Sequence, residues 1–206
     1  MKLLSLEERQ QIAYAETPRI GASVPRRGNW ATRLVASSIM RLLGWRIVGE
    51  VPDLPKILMI GAPHTSAWDF LLTVLTVGSL GGDLHYLVKQ SFFASPLGGL
   101  IRWLGGIPVD RQNTRGFVDQ MIDEFERRDT FMLAIMPEGT RSKVKEWRSG
   151  FYYIALGAGV PISLVIFDFG EKLMRLGPAL TPSGDYETEL PVLQSYFLGI
   201  RGKNPT

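Results

Sequence analysis

Short apolar runs bounded by glycine and proline alternate with longer amphipathic stretches along most of this 206-residue chain. Residues 3–15 and 30–43 place apolar side chains at helical spacing, on either side of a linker at 18–28 punctuated by Pro18, Gly21, Pro25 and Gly28. Residues 45–51 and 56–61 read as strands around a turn marked by Pro52 and Pro55, 67–79 as a buried helix and 84–88 as a strand. Segment 92–104 has helical character interrupted by Pro96 and two glycines. A short strand at 107–109, a helix at 116–128 with acids and bases on its outer face, and an apolar strand at 131–136 follow. After a polar loop at 137–150 come a helix at 151–157 and a strand at 161–167. Asp168-Phe-Gly-Glu171 then turns the chain into a hairpin strand ending near Leu176, and 186–197 is a last helix despite Pro191.

Strands that alternate with helices predict an α/β fold, a sheet covered by helices. The late hairpin makes that sheet mixed and mostly parallel. The division expected is an N-terminal helical segment over 1–44, amphipathic and suited to a membrane interface, followed by an α/β domain over 45–206. In such sheets ligands gather at loops on the strand ends, so chemistry is sought there.

Composition narrows the chemistry. Cysteine is absent, which removes disulfides, thiolate metal sites and a cysteine nucleophile, and His64 and His85 are the two histidines. No metal site and no resident cofactor are expected from so small a ligand set. The net charge is only +3, but it is unevenly placed. Between Thr17 and Gly49 lie Arg19, Arg26, Arg27, Arg33, Arg41 and Arg46, with no acid among them. Such a block suits a polyanion, nucleic acid or anionic lipid. Trp30, Leu34, Val35, Ile39, Leu42 and Trp45 are interleaved with it, a stripe with tryptophan at each end that favours lipid over nucleic acid. An ordinary amphipathic helix packed on the core is the other reading of the same residues. No run reaches the roughly 18–20 apolar residues a bilayer span needs. Glu7, Glu8 and Arg9 follow the first apolar residues too soon for a secretory leader. The expectation is a soluble, peripheral or monotopic protein at the cytoplasmic face of a membrane.

Two loops carry candidate chemistry. The first is Ala62-Pro-His-Thr-Ser-Ala-Trp-Asp69, between a strand and a helix. On a helix an offset of five residues is about 140°, so His64 and Asp69 meet only if the histidine precedes the helix and the acid sits in its first turn. The carboxylate would then fix the imidazole's tautomer and stabilise its cation, leaving the other ring nitrogen as a base. The competing reading is a helix cap, with Ser66 as N-cap and the acid three residues on. His85 falls inside a strand pattern and reads as structural.

The second loop pairs Gly105-Gly-Ile-Pro-Val-Asp-Arg111 with Pro137-Glu-Gly-Thr-Arg-Ser142. Each sets an arginine beside a turn after an apolar strand, and two guanidinium forks suit a phosphate. Gly139 permits a tight turn and close approach of a ligand, while Lys143, Lys145 and Arg148 add positive field. A solvated loop in which Glu138 pairs with Arg141 or a lysine is the alternative. No nucleotide-binding glycine motif occurs.

Taken in order, these blocks resemble the glycerophospholipid acyltransferase family, its PlsC-like (1-acyl-sn-glycerol-3-phosphate acyltransferase) branch. His64-Thr-Ser-Ala-Trp-Asp69 matches the family's His-x-x-x-x-Asp block and Pro137-Glu-Gly-Thr-Arg-Ser142 its third. Gly106-Ile-Pro-Val-Asp-Arg111 is similar to the second, and Val160-Pro-Ile-Ser163 to the fourth. The resemblance implies that His64 deprotonates an acceptor hydroxyl and Asp69 orients it. Arg111, Glu138, Gly139, Thr140 and Arg141 would bind the acceptor's polar head. The donor would be acyl-CoA or acyl-carrier protein, the acceptor a lysophospholipid or another lysolipid such as a lyso-aminolipid, and the partner surface a membrane rather than nucleic acid. Phe92, Phe93, Leu97, Leu100 and Trp103 are candidates for an acyl slot, or else core. The chain departs from many relatives in lacking a spanning helix before the first block, and its second block is shorter.

Overall fold

A computed structural model of the chain describes residues 17–109, 114–142, 144 and 146–204, with backbone only at 114 and 115. The expected helix at 3–15 lies outside them. Seven strands form one mixed sheet in the order β1-β7-β6-β2-β5-β3-β4. At its centre β2 (Lys56–Ala62) pairs in parallel with β5 (Phe131–Ile135) and with β6 (Ile162–Asp168). Beyond β5, β3 (Leu84–Lys89) and β4 (Gly106–Val109) continue the parallel run. Beyond β6, β7 (Leu173–Leu180) is antiparallel, and β1 (Arg46–Gly49) is parallel to β7.

The central strand is buried along nearly its whole length because helices cover both faces, which is why it reads as a continuous apolar run. Ile57 and Met59 point into one core with Leu72, Leu75 and Met40, while Leu58 and Ile60 point into the other with Met121 and Phe151. The first core lies under α1 (Trp30–Leu42) and α2 (Trp68–Leu80). The second lies under α4 (Thr114–Glu126), α5 (Gly150–Gly157) and α6 (Tyr186–Ser195). The interrupted segment becomes a 3-10 turn, Gln90–Ala94, and a short helix α3 (Gly98–Trp103).

The hairpin strand runs four residues past its expected end. The register of β1 ends opposite Leu176, so Pro178 sits where β7 has a neighbour on one side only. There a missing N–H breaks no ladder bond. His85 lies in β3 with its ring 5.0 Å from that of Phe131, and burial lowers its pKa below the usual histidine range.

The N-terminal helix corrects one expectation and sharpens another. Asn29 caps α1, accepting from the N–H groups of Ala31 and Thr32 at 2.9 and 3.1 Å, while the Thr32 hydroxyl accepts from Asn29 N–H. The helix packs on α2 through its small face, Ala36 and Met40. Trp45 is not part of the outer stripe: it is buried, with Phe169 edge-on at 4.8 Å, because the chain turns inward at Gly44. Trp30 (72% exposed), Leu34, Val35 and Leu42 (86%) stay outside. A helix that seats itself through alanine and methionine has thus left its largest apolar side chains in solvent, opposite to the usual arrangement. No helix among the described residues is long and apolar enough to cross a membrane.

Candidate active site

Strands β2, β5 and β6 run in parallel, so the loops that follow them share one edge of the sheet. His64 lies two residues past β2, on the turn before α2, and Asp69 is the second residue of that helix. Only the acid is helical, and this is what lets the pair meet: His64 Nδ1 and Asp69 Oδ2 are 3.0 Å apart. Asp69 is fully buried, yet Oδ2 also accepts from the N–H groups of Thr65 (2.8 Å) and Ser66 (2.9 Å), and Oδ1 from the Ser66 hydroxyl (3.1 Å). A buried carboxylate keeps its charge only when so surrounded by donors. Ser66 Oγ in turn accepts from Trp68 N–H at 3.2 Å. Ala67 occupies the N-cap position and offers no side-chain acceptor, so Ser66 and Asp69 serve the helix start between them. The N-cap is thus Ala67 and not Ser66, and the carboxylate holds both the imidazole and the turn that leads into the helix. With Nδ1 engaged, Nε2 is the nitrogen left for a substrate hydroxyl.

From β5 the loop at 137–142 reaches the same place. Glu138 Oε2 accepts from the backbone N–H of His64 at 2.9 Å, and among the described residues Glu138 forms no ion pair. The carboxylate does not pair with Arg141; the other partners of the solvated-loop alternative, Lys143 and Lys145, lie outside the described residues. Burial raises its pKa above the usual carboxylate range, while the His64 N–H opposes that by favouring the ionised form. Gly139 adopts φ +66°, and a Cβ there would lie 2.7 Å from Arg148 Nε. Arg148, bonded through its N–H to the Pro137 carbonyl at 2.9 Å, thus folds over the glycine. Thr140 and Arg141 are exposed. Strand β4 ends at Val109 on this edge, and Asp110 and Arg111, next in sequence, lie outside the described residues, as do Lys143 and Lys145.

One set of side chains falls elsewhere than expected. Phe92, Leu97, Leu100 and Trp103 are exposed, and Phe93 is half-buried beneath the Arg102 guanidinium. These exposed side chains are not core, and among the described residues no element packs above the two short turns that the break at Pro96 leaves. An apolar cavity of about 40 Å³ lies between α2 and the sheet, lined by Thr73, Thr76, Val77 and Leu84 among others. It has room for a few water-sized spheres, not a fatty chain. The residues that sequence reasoning missed are Thr65 and the segment touching it, Gly202 to Asn204. The Thr65 hydroxyl accepts from Lys203 N–H at 2.9 Å, and Asn204 Nδ2 donates to the Thr65 carbonyl at 2.8 Å. A short polar tail has no periodicity that could announce such contacts.

A histidine held by a buried acid, beside a Glu-Gly-Thr-Arg loop at the strand ends, can be compared with known proteins. A family model described as Acyltransferase matches residues 50–167, more than half of the chain, including His64, Asp69 and the 137–142 loop. The chain belongs to the acyltransferase family. No curated protein matches it by sequence. Among solved structures, the 1-acyl-sn-glycerophosphate (LPA) acyltransferase PlsC from Thermotoga maritima superposes with a TM-score of 0.54 at 16% identity. The match covers 80% of this chain and 75% of that one. At that identity the likeness is one of fold, and the mixed, mostly parallel sheet is the architecture the two share. Within this acyltransferase the family match also spans the 137–142 loop and the Val160-Pro161 turn, so the four sequence blocks lie in one matched domain.

Proposed function

We propose that this acyltransferase moves a fatty acyl group from an acyl thioester, acyl-CoA or acyl-carrier protein, to a hydroxyl of a lysophospholipid. The foremost acceptor is 1-acyl-sn-glycerol-3-phosphate. The observation that carries this reading is the 3.0 Å contact between His64 Nδ1 and buried Asp69, which leaves Nε2 as the ring nitrogen not engaged by the carboxylate. A lipid alcohol is scarcely ionised at neutral pH and needs a base to attack. His64 Nε2 takes the hydroxyl proton as the oxygen bonds to the thioester carbonyl carbon. The C–S bond then breaks, and the departing thiolate recovers the proton from the imidazolium. Asp69 stabilises that cation throughout, and no acyl-enzyme is formed. Arg141, with Arg111, would pair with the acceptor's phosphate through guanidinium forks; Gly139 and Thr140 line the same loop. Glu138 supports the base through its backbone. A purified protein that releases free thiol from an acyl thioester only when a lysolipid is added fits this reading. A panel containing lysophosphatidate, neutral lysolipids and a lyso-aminolipid identifies the acceptor, and release with none of them overturns it.

Arg141→Ala is expected to raise the KM for a phosphate-bearing acceptor about 10-fold, the worth of one charge-assisted pair, with kcat within about threefold. An unchanged acceptor KM removes Arg141 from this role. The exposed face of α1 supports docking on a membrane, at its cytoplasmic face in this reading, since Trp30, Leu34 and Leu42 lie beside Arg33 and Arg41. Burying each large apolar side chain contributes about 1.5–3 kcal/mol. Trp30→Glu combined with Leu34→Glu should therefore lower co-sedimentation with anionic vesicles at least about 10-fold while the unfolding midpoint stays put. Equal sedimentation shows that this face has another use.

A further inference from the structure

The tail from Arg201 to Asn204 is fastened at the β6–β7 turn and, through Lys203 and Asn204, at the loop that bears His64. The Arg201 carbonyl accepts from Phe169 N–H at 2.9 Å, which anchors the tail at the β6–β7 turn. Lys203 N–H donates to the Thr65 hydroxyl at 2.9 Å, and Asn204 Nδ2 donates to the Thr65 carbonyl at 2.8 Å. Lys203 Nζ stands 4.0 Å from the Trp68 ring centroid, a cation–π contact on the first residue of α2. At Gly202 the approach is so close that a Cβ would lie 2.6 Å from Thr65 Cγ2 and 2.8 Å from its Oγ1.

Thr65 is the residue after His64, and its own N–H donates to Asp69. The His64 loop is thus gripped from both sides. Glu138, arriving from β5, holds the His64 N–H, and the tail, arriving from beside β6, holds the Thr65 carbonyl and hydroxyl. Removing the tail would leave the loop tied on the β5 side alone. A base must be held to within a fraction of an ångström to be productive, and a displacement near 1 Å can cost as much as about 100-fold. We infer that the tail is a positioning strap for the acyl-transfer base, with Asn204 and Gly202 as its positioning residues. It does not touch the substrate. This rests on the reading of His64 as that base.

Three full-length variants test it. Asn204→Ala deletes the donor to the Thr65 carbonyl, and Asn204→Asp replaces it by an acceptor of nearly the same shape. Gly202→Ala pushes the tail away from Thr65. Each is expected to lower kcat about 10-fold, with both KM values within twofold and a midpoint of thermal unfolding within about 3 °C of the unaltered protein. Gly202→Ala should recover part of its loss when combined with Thr65→Ser, which removes the obstructing methyl and keeps the hydroxyl acceptor. A second readout does not depend on turnover. In a protein labelled with 15N-histidine, the His64 Nδ1 proton, distinguished from that of His85 by the His64→Ala spectrum, should exchange faster with water in all three variants. Unaltered kcat together with unaltered exchange overturns the strap. Wild-type protein inactive on every acceptor, with exchange still accelerated by the variants, overturns the acyl-transfer reading and leaves the strap standing. A fall in kcat that merely tracks a large loss of thermal stability also overturns it, since any misfolded variant would do the same.

Discussion

His64→Ala is expected to lower the acyl-transfer kcat about 10²–10⁴-fold and to leave the protein folded. The size follows from the chemistry: a positioned general base contributes about 10²–10⁴-fold, and alanine supplies no substitute. Stability changes little, for a reason visible in the hydrogen bonds. Asp69 Oδ2 loses the ring nitrogen but keeps the N–H groups of Thr65 and Ser66, so the buried carboxylate stays satisfied. One lost bond costs about 1 kcal/mol, which in a domain near this size moves the unfolding midpoint by about 2–4 °C. The measurement is free thiol released per second at saturating donor and acceptor, beside a thermal melt. Residual kcat above a tenth of the unaltered value would remove His64 from the role of base. Unaltered acceptor binding alongside lost turnover would confine its part to the proton transfer.

How much of this could be read from residues alone depends on how local each feature is. Strand β2 and the helix after it were legible because their patterns are local: a buried apolar run, then a cap signal at Ser66 to Asp69. The first and third sequence blocks were legible because their spacing is short enough for a loop to enforce. The two uses of Asp69 could not be separated in sequence, and the structure shows why: the same oxygen, Oδ2, meets the N–H groups of the turn before the helix and the imidazole. Other features depend on what packs above a segment. Trp45 looked like part of the α1 stripe until the turn at Gly44 sent it inward against Phe169. Phe92, Leu97 and Trp103 looked like core or slot, but nothing covers them among the described residues. The bond from Glu138 to His64 spans 74 residues and that from Lys203 to Thr65 spans 138, distances over which no periodicity speaks.

Those long-range bonds change how the site is understood. The His64 loop is not an independent hairpin carrying its own chemistry. Its backbone donors and acceptors are completed by the loop after β5 and by the tail beyond α6. A base presented on a turn has few local constraints, and neighbouring elements must supply the rest. The central position of β2 is what makes this possible, since its parallel neighbours β5 and β6 end on the same edge as it does.

The second large effect is at Asp69, where two substitutions separate charge from structure. Asp69→Ala removes the acceptor from three donors besides the imidazole, and the Thr65 and Ser66 N–H groups are left without it inside a buried helix start. Each unsatisfied buried group costs about 1–3 kcal/mol, a large share of the roughly 5–15 kcal/mol that holds such a domain together. This variant should therefore lose both activity and thermal stability. Asp69→Asn is the cleaner experiment. Its amide oxygen placed at the Oδ2 position still accepts from Thr65 and Ser66, and its NH2 at the Oδ1 position donates to the Ser66 hydroxyl. The reverse orientation would set NH2 against two N–H groups, so the packing selects one rotamer. The fold is then kept while the negative charge opposite Nδ1 is gone, and the imidazolium formed during attack loses its counter-ion. Expected is a fall in kcat of about 10²–10⁴-fold with a midpoint within a few degrees of the unaltered protein. Full activity in Asp69→Asn would show that the charge is not used in catalysis. Full stability in Asp69→Ala would show that the helix start does not depend on the carboxylate, and either result breaks the double role that the geometry assigns to it.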